Sequence, residues 1–324
     1  MTEHLSDIIL KRTTLIVRDA ERMKDFYEQV LGWTVSYESE MTLSGGILPC
    51  GKPGDVVKLY MMEGADPDIG KIGLLEWLDP KLPDPKLSEQ RPPAYKLGIG
   101  SIVLVADVPD MEGLIKKVEA FPGAKMHTAP EDGSFPDPRG DGDIEYTSAA
   151  MFDPEGFFYE LYFRYNRPNP ERFLIRRTTC LVRDIDRTLD FFTNTLGLTK
   201  TQDSTMPIGG QLAAGKPGDT VRFAVCKAEH EYYGMAAALQ FLDPPLPDPG
   251  EATWKTGIGS AVFVAHAHDA ADLFGKVQAS GVKITRDLFS RAVPKTGGQG
   301  ETKMHSMGFH DPDGFVWEVN QREE

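Results

Sequence analysis

The residues best suited to chemistry lie in a stretch that occurs twice, Phe152-Asp-Pro-Glu-Gly-Phe-Phe-Tyr-Glu160-Leu and His310-Asp-Pro-Asp-Gly-Phe-Val-Trp-Glu318-Val. In each copy Asp-Pro-Glu/Asp-Gly predicts a tight turn, because Pro presets φ and Gly takes the positive-φ position. The aromatic and β-branched run after it predicts a half-buried strand. A lone acid in such a strand, Glu160 or Glu318, is a candidate proton carrier or ligand. Tyr146, one strand earlier, has Met304 as its repeat counterpart and offers a phenol as proton donor or ligand anchor, against the plainer reading of an aromatic wall. The histidines gather late, at His266, His268, His305 and His310. His310 is expected near the rim on the Glu318 side. A metal held by His266, His310 and Glu318 is conceivable but rests on no tight spacing motif, and solvated strand-end histidines are the simpler reading; His127 reads as a surface residue. The loops Gly51-Lys-Pro-Gly-Asp55 and Gly215-Lys-Pro-Gly-Asp219 invite a phosphate-binding reading. They lack the strand, helix start and Ser/Thr of a P-loop, so they read as tight inter-strand turns.

The elements that must position these residues are themselves repeated. Arg12-Thr-Thr-Leu-Ile-Val-Arg-Asp19 returns as Arg177-Thr-Thr-Cys-Leu-Val-Arg-Asp184, and Gly98-Ile-Gly-Ser101 as Gly257-Ile-Gly-Ser260. The offset falls from 165 residues at Arg12/Arg177 to 158 at Glu160/Glu318, so the chain is a duplication with small deletions. The Pro-rich polar segment 165–171 is fit for a linker, giving expected domains 1–165 and 166–324. Within the first half the pattern predicts a strand at 12–18, then a helix from Asp19 to Leu31 with Asp19 as N-cap and Gly32 as stop. Strand pieces are expected at 34–37, 41–48, 56–62 and 72–78, and a Pro-rich connector begins at Asp79. A second unit has a strand at 101–106, a helix at 111–121, a Gly/Asp/Pro-rich loop, and strands at 146–152 and up to Phe163. The segment 295–300, with Lys295 and Gly297-Gly-Gln-Gly300, reads as a candidate flap over the second cup.

Composition narrows the function classes. A formal charge of −14 without a Lys/Arg run argues against nucleic-acid or anionic-membrane partners. Three cysteines, Cys50, Cys180 and Cys226, without paired metal spacing, imply no disulfide framework and a reducing compartment. With a polar N-terminus and no apolar run of membrane-spanning length, a cytoplasmic location is expected.

The opening Thr-Thr-Leu-Ile-Val-Arg-Asp, with Phe26-Tyr27 and Val30-Leu-Gly32, their counterparts Phe191-Phe192 and Thr195-Leu-Gly197, and the two Asp-Pro-Glu/Asp-Gly…Glu endings resemble the vicinal oxygen chelate superfamily. That superfamily contains glyoxalase I, bleomycin-resistance-type binding proteins, fosfomycin-resistance enzymes and extradiol dioxygenases. The resemblance covers essentially the whole chain. It implies an α+β fold of two tandem domains, each of two paired βαβββ modules forming an open cupped sheet around a divalent metal. The tandem layout is similar to that of extradiol dioxygenases.

Carried over residue by residue, the ligand positions of the resemblance fall on Arg12 and Arg177, Glu76 and Gln240, Ser101 and Ser260, and Glu160 and Glu318. Arginine stays protonated and has no acceptor, so it is no ligand. No inherited position is an imidazole, which leaves both the two-His-one-carboxylate set of an Fe(II) oxygenase and a Zn or Ni set incomplete. The expected clusters are therefore Arg12–Glu76–Glu160 and Arg177–Gln240–Glu318, without metal or other cofactor. Arg12, Thr14 and Ile16 would share one strand face, and an anionic or carbonyl oxygen would suit the half-neutralised Arg177. The plainer alternative is a structural ion pair. The implied function is a lyase- or isomerase-type enzyme for a carbonyl- or phenol-containing small molecule. A metal-free binding or sequestering protein for aromatic or antibiotic ligands is the alternative, and a degenerate extradiol-dioxygenase-like metalloenzyme a second one. A monomer or homodimer is expected, since the duplication lets one chain do what single-domain relatives do as dimers.

Overall fold

The computed structural model describes residues 8–45, 47–83, 96–136, 142–228, 234–294 and 301–323. The expected flap at 295–300 and most of the connector at 79–93 lie outside them. Four modules succeed one another along the chain. The first holds β1 (Ile8–Ile16), α1 (Ala20–Gln29), β2 (Thr34–Thr42), β3 (Val56–Glu63) and β4 (Lys71–Asp79). The second holds β5 (Ile102–Asp107), α2 (Met111–Ala120), β6 (Lys125–Met126), β7 (Glu131–Pro136), β8 (Asp143–Phe152) and β9 (Phe158–Arg164). In the third, β10 (Leu174–Leu181) leads to α3 (Ile185–Asp190), a π-helical turn at Phe191–Thr195, β11 (Thr199–Pro207), β12 (Thr220–Lys227) and β13 (Met235–Asp243). The fourth has β14 (Ala261–Ala267), α4 (Ala270–Ala279), β15 (Ile284–Pro294), β16 (Glu301–His310) and β17 (Val316–Arg322).

The chain is thus α+β, with paired modules that build two open cupped sheets. An outer sheet runs β15-β16-β17-β14-β1-β4-β3-β2 and joins the first module to the fourth. An inner sheet runs β11-β12-β13-β10-β5-β9-β8-β6, with β7 on β8, and joins the second module to the third. Each cup therefore takes one module from each half. The joints are antiparallel: Arg12 lies opposite Val264, and Arg177 opposite Val105. A β-bulge just before each arginine, between Leu10 and Arg12 and between Ile175 and Arg177, repeats the same irregularity in both sheets.

Helices cover the backs of the sheets, and the two backs share one core. Tyr27 and Tyr159 hydrogen-bond through their hydroxyls at 2.6 Å, Trp33 donates to the Phe173 carbonyl at 2.7 Å, and Thr13 meets Thr178 at 2.9 Å. Each helix starts on an aspartate: the side chains of Asp19, Asp110, Asp184 and Asp269 accept from backbone N–H groups of the first turn. The positive φ of Gly32, +70°, ends α1 as its sequence predicts.

The repeated Asp-Pro-Glu/Asp-Gly stretch is the expected tight turn. Asp153 accepts from the Glu155 and Phe157 N–H groups, both at 2.9 Å, and Asp311 accepts from those of Asp313 and Phe315, both at 3.0 Å. The Gly-Lys-Pro-Gly-Asp loops turn their own aspartates on their own backbone, Asp55 on Lys52 N–H and Asp219 on Lys216 N–H. An inward-facing carboxylate there has no use for phosphate.

Two expectations about elements change. The stretch 41–48 is not a strand: β2 ends at Thr42, and the chain continues as a loop that closes over the outer cup, its Ile47 carbonyl accepting from Thr285 Oγ1 at 2.9 Å. The Gly/Asp/Pro-rich stretch before Tyr146 contains β7, which pairs with β8 from Glu131↔Ser148 to Pro136↔Asp143. Cys50, Cys180 and Cys226 are free thiols, and among the described residues no helix is long and apolar enough to cross a membrane.

Candidate functional site

Strand alternation decides which side chains reach each cup. On β1, Leu15 and Val17 enter the helix-side core, whereas Arg12 and Thr14 line the outer cavity and Ile16 packs with Val57, Trp77 and Val262 beneath it. The outer cavity measures about 780 Å³ and the inner one about 680 Å³, both within the range that holds a drug-sized ligand. Arg12 and Glu318 line the outer cavity, on one cross-strand row through Val264. Arg177 and Glu160 line the inner one, on the equivalent row through Val105.

The expected triads are therefore rearranged. Arg12 faces Glu318 and not Glu160, and Arg177 faces Glu160 and not Glu318. The cause is the pairing of modules across halves: β5 and β14 are repeats of one another, and β1 meets β14. Glu76 and Gln240 leave the cups altogether. Leu75 and Trp77 point into the outer cup, so Glu76 points to the helices, where its Oε2 accepts from Ala20 N–H at 2.9 Å and its Oε1 from Lys81 at 2.5 Å. Gln240 does the same for the next helix, accepting from Ile185 N–H at 3.0 Å and donating to the Arg183 carbonyl at 2.7 Å.

Ser101 and Ser260 also lie outside both cavities. Their hydroxyls accept from Gly98 and Gly257 N–H, each at 3.1 Å, and close the turns that precede β5 and β14. His310 is not at a rim: it is buried, its Nδ1 donating to the Gly314 carbonyl at 2.8 Å and its ring against Trp254. His127 is not wholly at the surface either, since its ring packs edge-on against Phe152 and Phe158. Tyr146 does line the inner cavity, 5.2 Å from the Tyr162 ring and 5.4 Å from Phe135.

Electrostatics in the two cups differ in detail. Burial pushes the Arg12 and Arg177 guanidiniums below their ordinary value; Glu318 opposes this for Arg12, as Glu160 does for Arg177. In the inner cup an Arg177 Nη2 stands 3.9 Å from Glu160 Oε2, and the guanidinium lies 4.9 Å over the Phe223 ring. Burial first, then the Glu160 and Glu131 charges, hold the Tyr146 phenol above its ordinary value, so it keeps its proton. In the outer cup Asn320 donates to Glu318 at 2.9 Å, and Lys71, Arg291 and Arg322 add positive charge to the lining.

Sequence reasoning missed Arg176, which lines the inner cavity beside Arg177 and reaches Asp107 at 3.6 Å. The bulge brings it there. Regular alternation would put it on the far face, and the Arg176-Arg177 doublet was the signal available.

The donor set does not fit the divalent ion of the cupped-sheet enzymes. Each cup centre offers one carboxylate facing a guanidinium, and among the described residues no group of three or more His, Cys, Asp and Glu is placed to hold a metal ion. His266 and His268 meet edge to face, 6.1 Å between ring centroids, and form no such group with His310 and Glu318.

No curated protein sequence matches the chain. Solved structures do. Glyoxalase I from Zea mays is similar with a TM-score of 0.61 and 17% identity, over 98% of this chain and 93% of that one. A mutant of the same protein reaches 0.64 at 16% identity, over 98% and 94%. A candidate dioxygenase from Bacillus subtilis gives 0.53 at 17% identity, over 99% and 87%. At such identities the likeness is one of fold. A family match covers both halves, residues 9–161 and 174–319. With two cups of paired modules and that match across both repeats, the chain belongs to the glyoxalase/bleomycin resistance protein/dioxygenase superfamily.

Proposed function

We propose that the chain is a small-molecule enzyme of lyase or isomerase type, acting without the usual metal on a substrate that carries a carbonyl or phenolic oxygen. The observation that supports this most is the pairing, in each cup, of a sequestered guanidinium with a carboxylate on the same cross-strand row. A buried guanidinium held in place on a strand stabilises negative charge developing on a substrate oxygen. A carboxylate beside it takes a proton from the neighbouring carbon and returns it elsewhere, which is isomerisation, or leaves it to accompany a departing group, which is elimination. In the inner cup Tyr146, still protonated, is suited to donate to that departing group.

The test is carbon-bound proton exchange. A panel of keto and phenolic acids is incubated with the protein in D₂O, and deuterium uptake beside the carbonyl or hydroxyl carbon is followed by NMR. Uptake is expected with a subset of the panel, and Glu160→Gln is expected to slow it at least 100-fold while leaving binding within a few-fold. Ligands that bind with no exchange by any variant would favour the sequestering reading, which the apolar share of both cavity linings supports.

A further inference from the structure

The two cups are repeats, yet their arginines are not equally satisfied. In the outer cup Arg12 Nε donates to Thr14 Oγ1 at 3.1 Å and Nη1 to Met61 Sδ at 3.1 Å, so guanidinium and hydroxyl satisfy one another. In the inner cup the equivalents, Arg177 Nε and Thr179 Oγ1, are both buried without a hydrogen-bond partner among the described residues, and so is Arg176 Nε. Val225 stands where the outer cup has Met61, and Phe223 presents only a ring face. A buried polar atom left unpaired is costly, and three such atoms on one short strand stretch all belong to residues lining one cavity.

Charge points the same way. Arg176 and Arg177 line the inner cavity, and behind that lining Arg164 and Arg176 share Asp107 while Arg177 faces Glu160, three cations against two anions in this cluster. Glu131 and Asp132 stand exposed at the rim of the same cavity, and Asp132 accepts from Thr147 and Tyr165. The walls are aromatic: Phe135, Tyr146, Tyr162 and Phe223.

We infer that the inner cup, and not its outer repeat, is the ligand-binding cup, and that its ligand is an aromatic carboxylate with a single negative charge. The carboxylate pairs with the Arg176–Arg177 doublet that lines this cavity, and the ring lies among the aromatic walls. This deepens the functional reading above and rests on it for the choice of cup as substrate site, while its own test needs no turnover.

Isothermal titration calorimetry with benzoate and 4-hydroxybenzoate is expected to give one site per chain. Benzamide, neutral and of the same shape, is expected to bind at least tenfold more weakly, and phenyl phosphate more weakly than benzoate. Arg177→Lys and Thr179→Val are each expected to weaken benzoate at least fivefold, the threonine variant being nearly isosteric and safe for folding. Thr14→Val, the same change in the outer cup, is expected to leave it unaltered. No binding of either benzoate, equal binding of benzamide, tighter binding of phenyl phosphate, or equal loss in Thr14→Val and Thr179→Val would each overturn the inference. Benzoate bound at one site in a protein that exchanges no substrate proton would instead overturn the enzymatic reading alone.

Discussion

Asp153 sits in the turn that launches the Glu160 strand, fully buried, and burial pushes its carboxyl up to about 7. The hydrogen bonds it accepts from the backbone and from Tyr159 oppose that rise without cancelling it. Its value in the unfolded chain is near 3.8, so between about pH 4 and 7 the folded state holds a proton that the unfolded state has lost. The contribution of this group to stability is full below about 4 and declines as the pH rises through about 7. Urea midpoints compared over that window are expected to fall less steeply for Asp153→Asn than for the parent, and parallel curves would refute it. At this scale the sequence was readable where one strand face is dry and the other lines a cup, as at Arg12 and Thr14. It was unreadable at Gly73-Leu-Leu-Glu-Trp77, where residues on both faces are buried and alternation carries no sign. Glu76 was expected beside Arg12 from the ligand positions of the resemblance, and with both strand faces buried nothing in the local pattern spoke against it; it lies with the helices.

Among elements, the repeat position shared by Glu76 and Gln240 has one task. Each side chain takes the first free N–H of a helix, Ala20 or Ile185, and ties that helix to its sheet. Removing such an acceptor costs about 0.5–2 kcal/mol. Glu76→Ala is expected to destabilise by that amount in chemical denaturation, and Glu76→Gln by clearly less, since the second half already uses the amide; equal losses would mean that the charge on Glu76, paired with Lys81, matters more than the cap. The helices were legible because their aspartate caps and apolar spacing are local signals. β7 was not, since its Glu-Asp-Gly-Ser-Phe-Pro composition matches a loop and only its ladder to β8 makes it a strand. The closing loop after Thr42 was missed for the converse reason, the apolar Met41, Leu43, Ile47 and Leu48 being read as part of a strand piece despite the intervening Ser and Gly.

For the whole molecule, the duplication and the α+β class were legible from internal repeats, but the partners of the modules were not. The strands β5 and β14 are near copies, and nothing in either sequence says which of them β1 will join. The structure gives β1 to β14, so neither half contains both modules of a cup. Residues 1–165 produced alone are therefore expected to associate, two copies supplying each other's missing module, and to unfold at lower temperature than the full chain. Light scattering coupled to size exclusion reads this directly, and a stable monomeric half would contradict it.

The cross-half pairing also sets an order in time. Every strand of the inner cup lies within residues 102–243, a continuous run, whereas the outer cup joins β1–β4 to strands that begin at Ala261. On a ribosome, where the chain emerges from its N-terminus, the inner cup can close before the fourth module has left the exit tunnel. The first module must wait with the β1 edge unpaired. Pulsed hydrogen exchange on refolding chains should then show β10 and β5 protected ahead of β1 and β14, and arrested nascent chains just long enough for Asp243 to have cleared the exit tunnel should already bind what the inner cup binds.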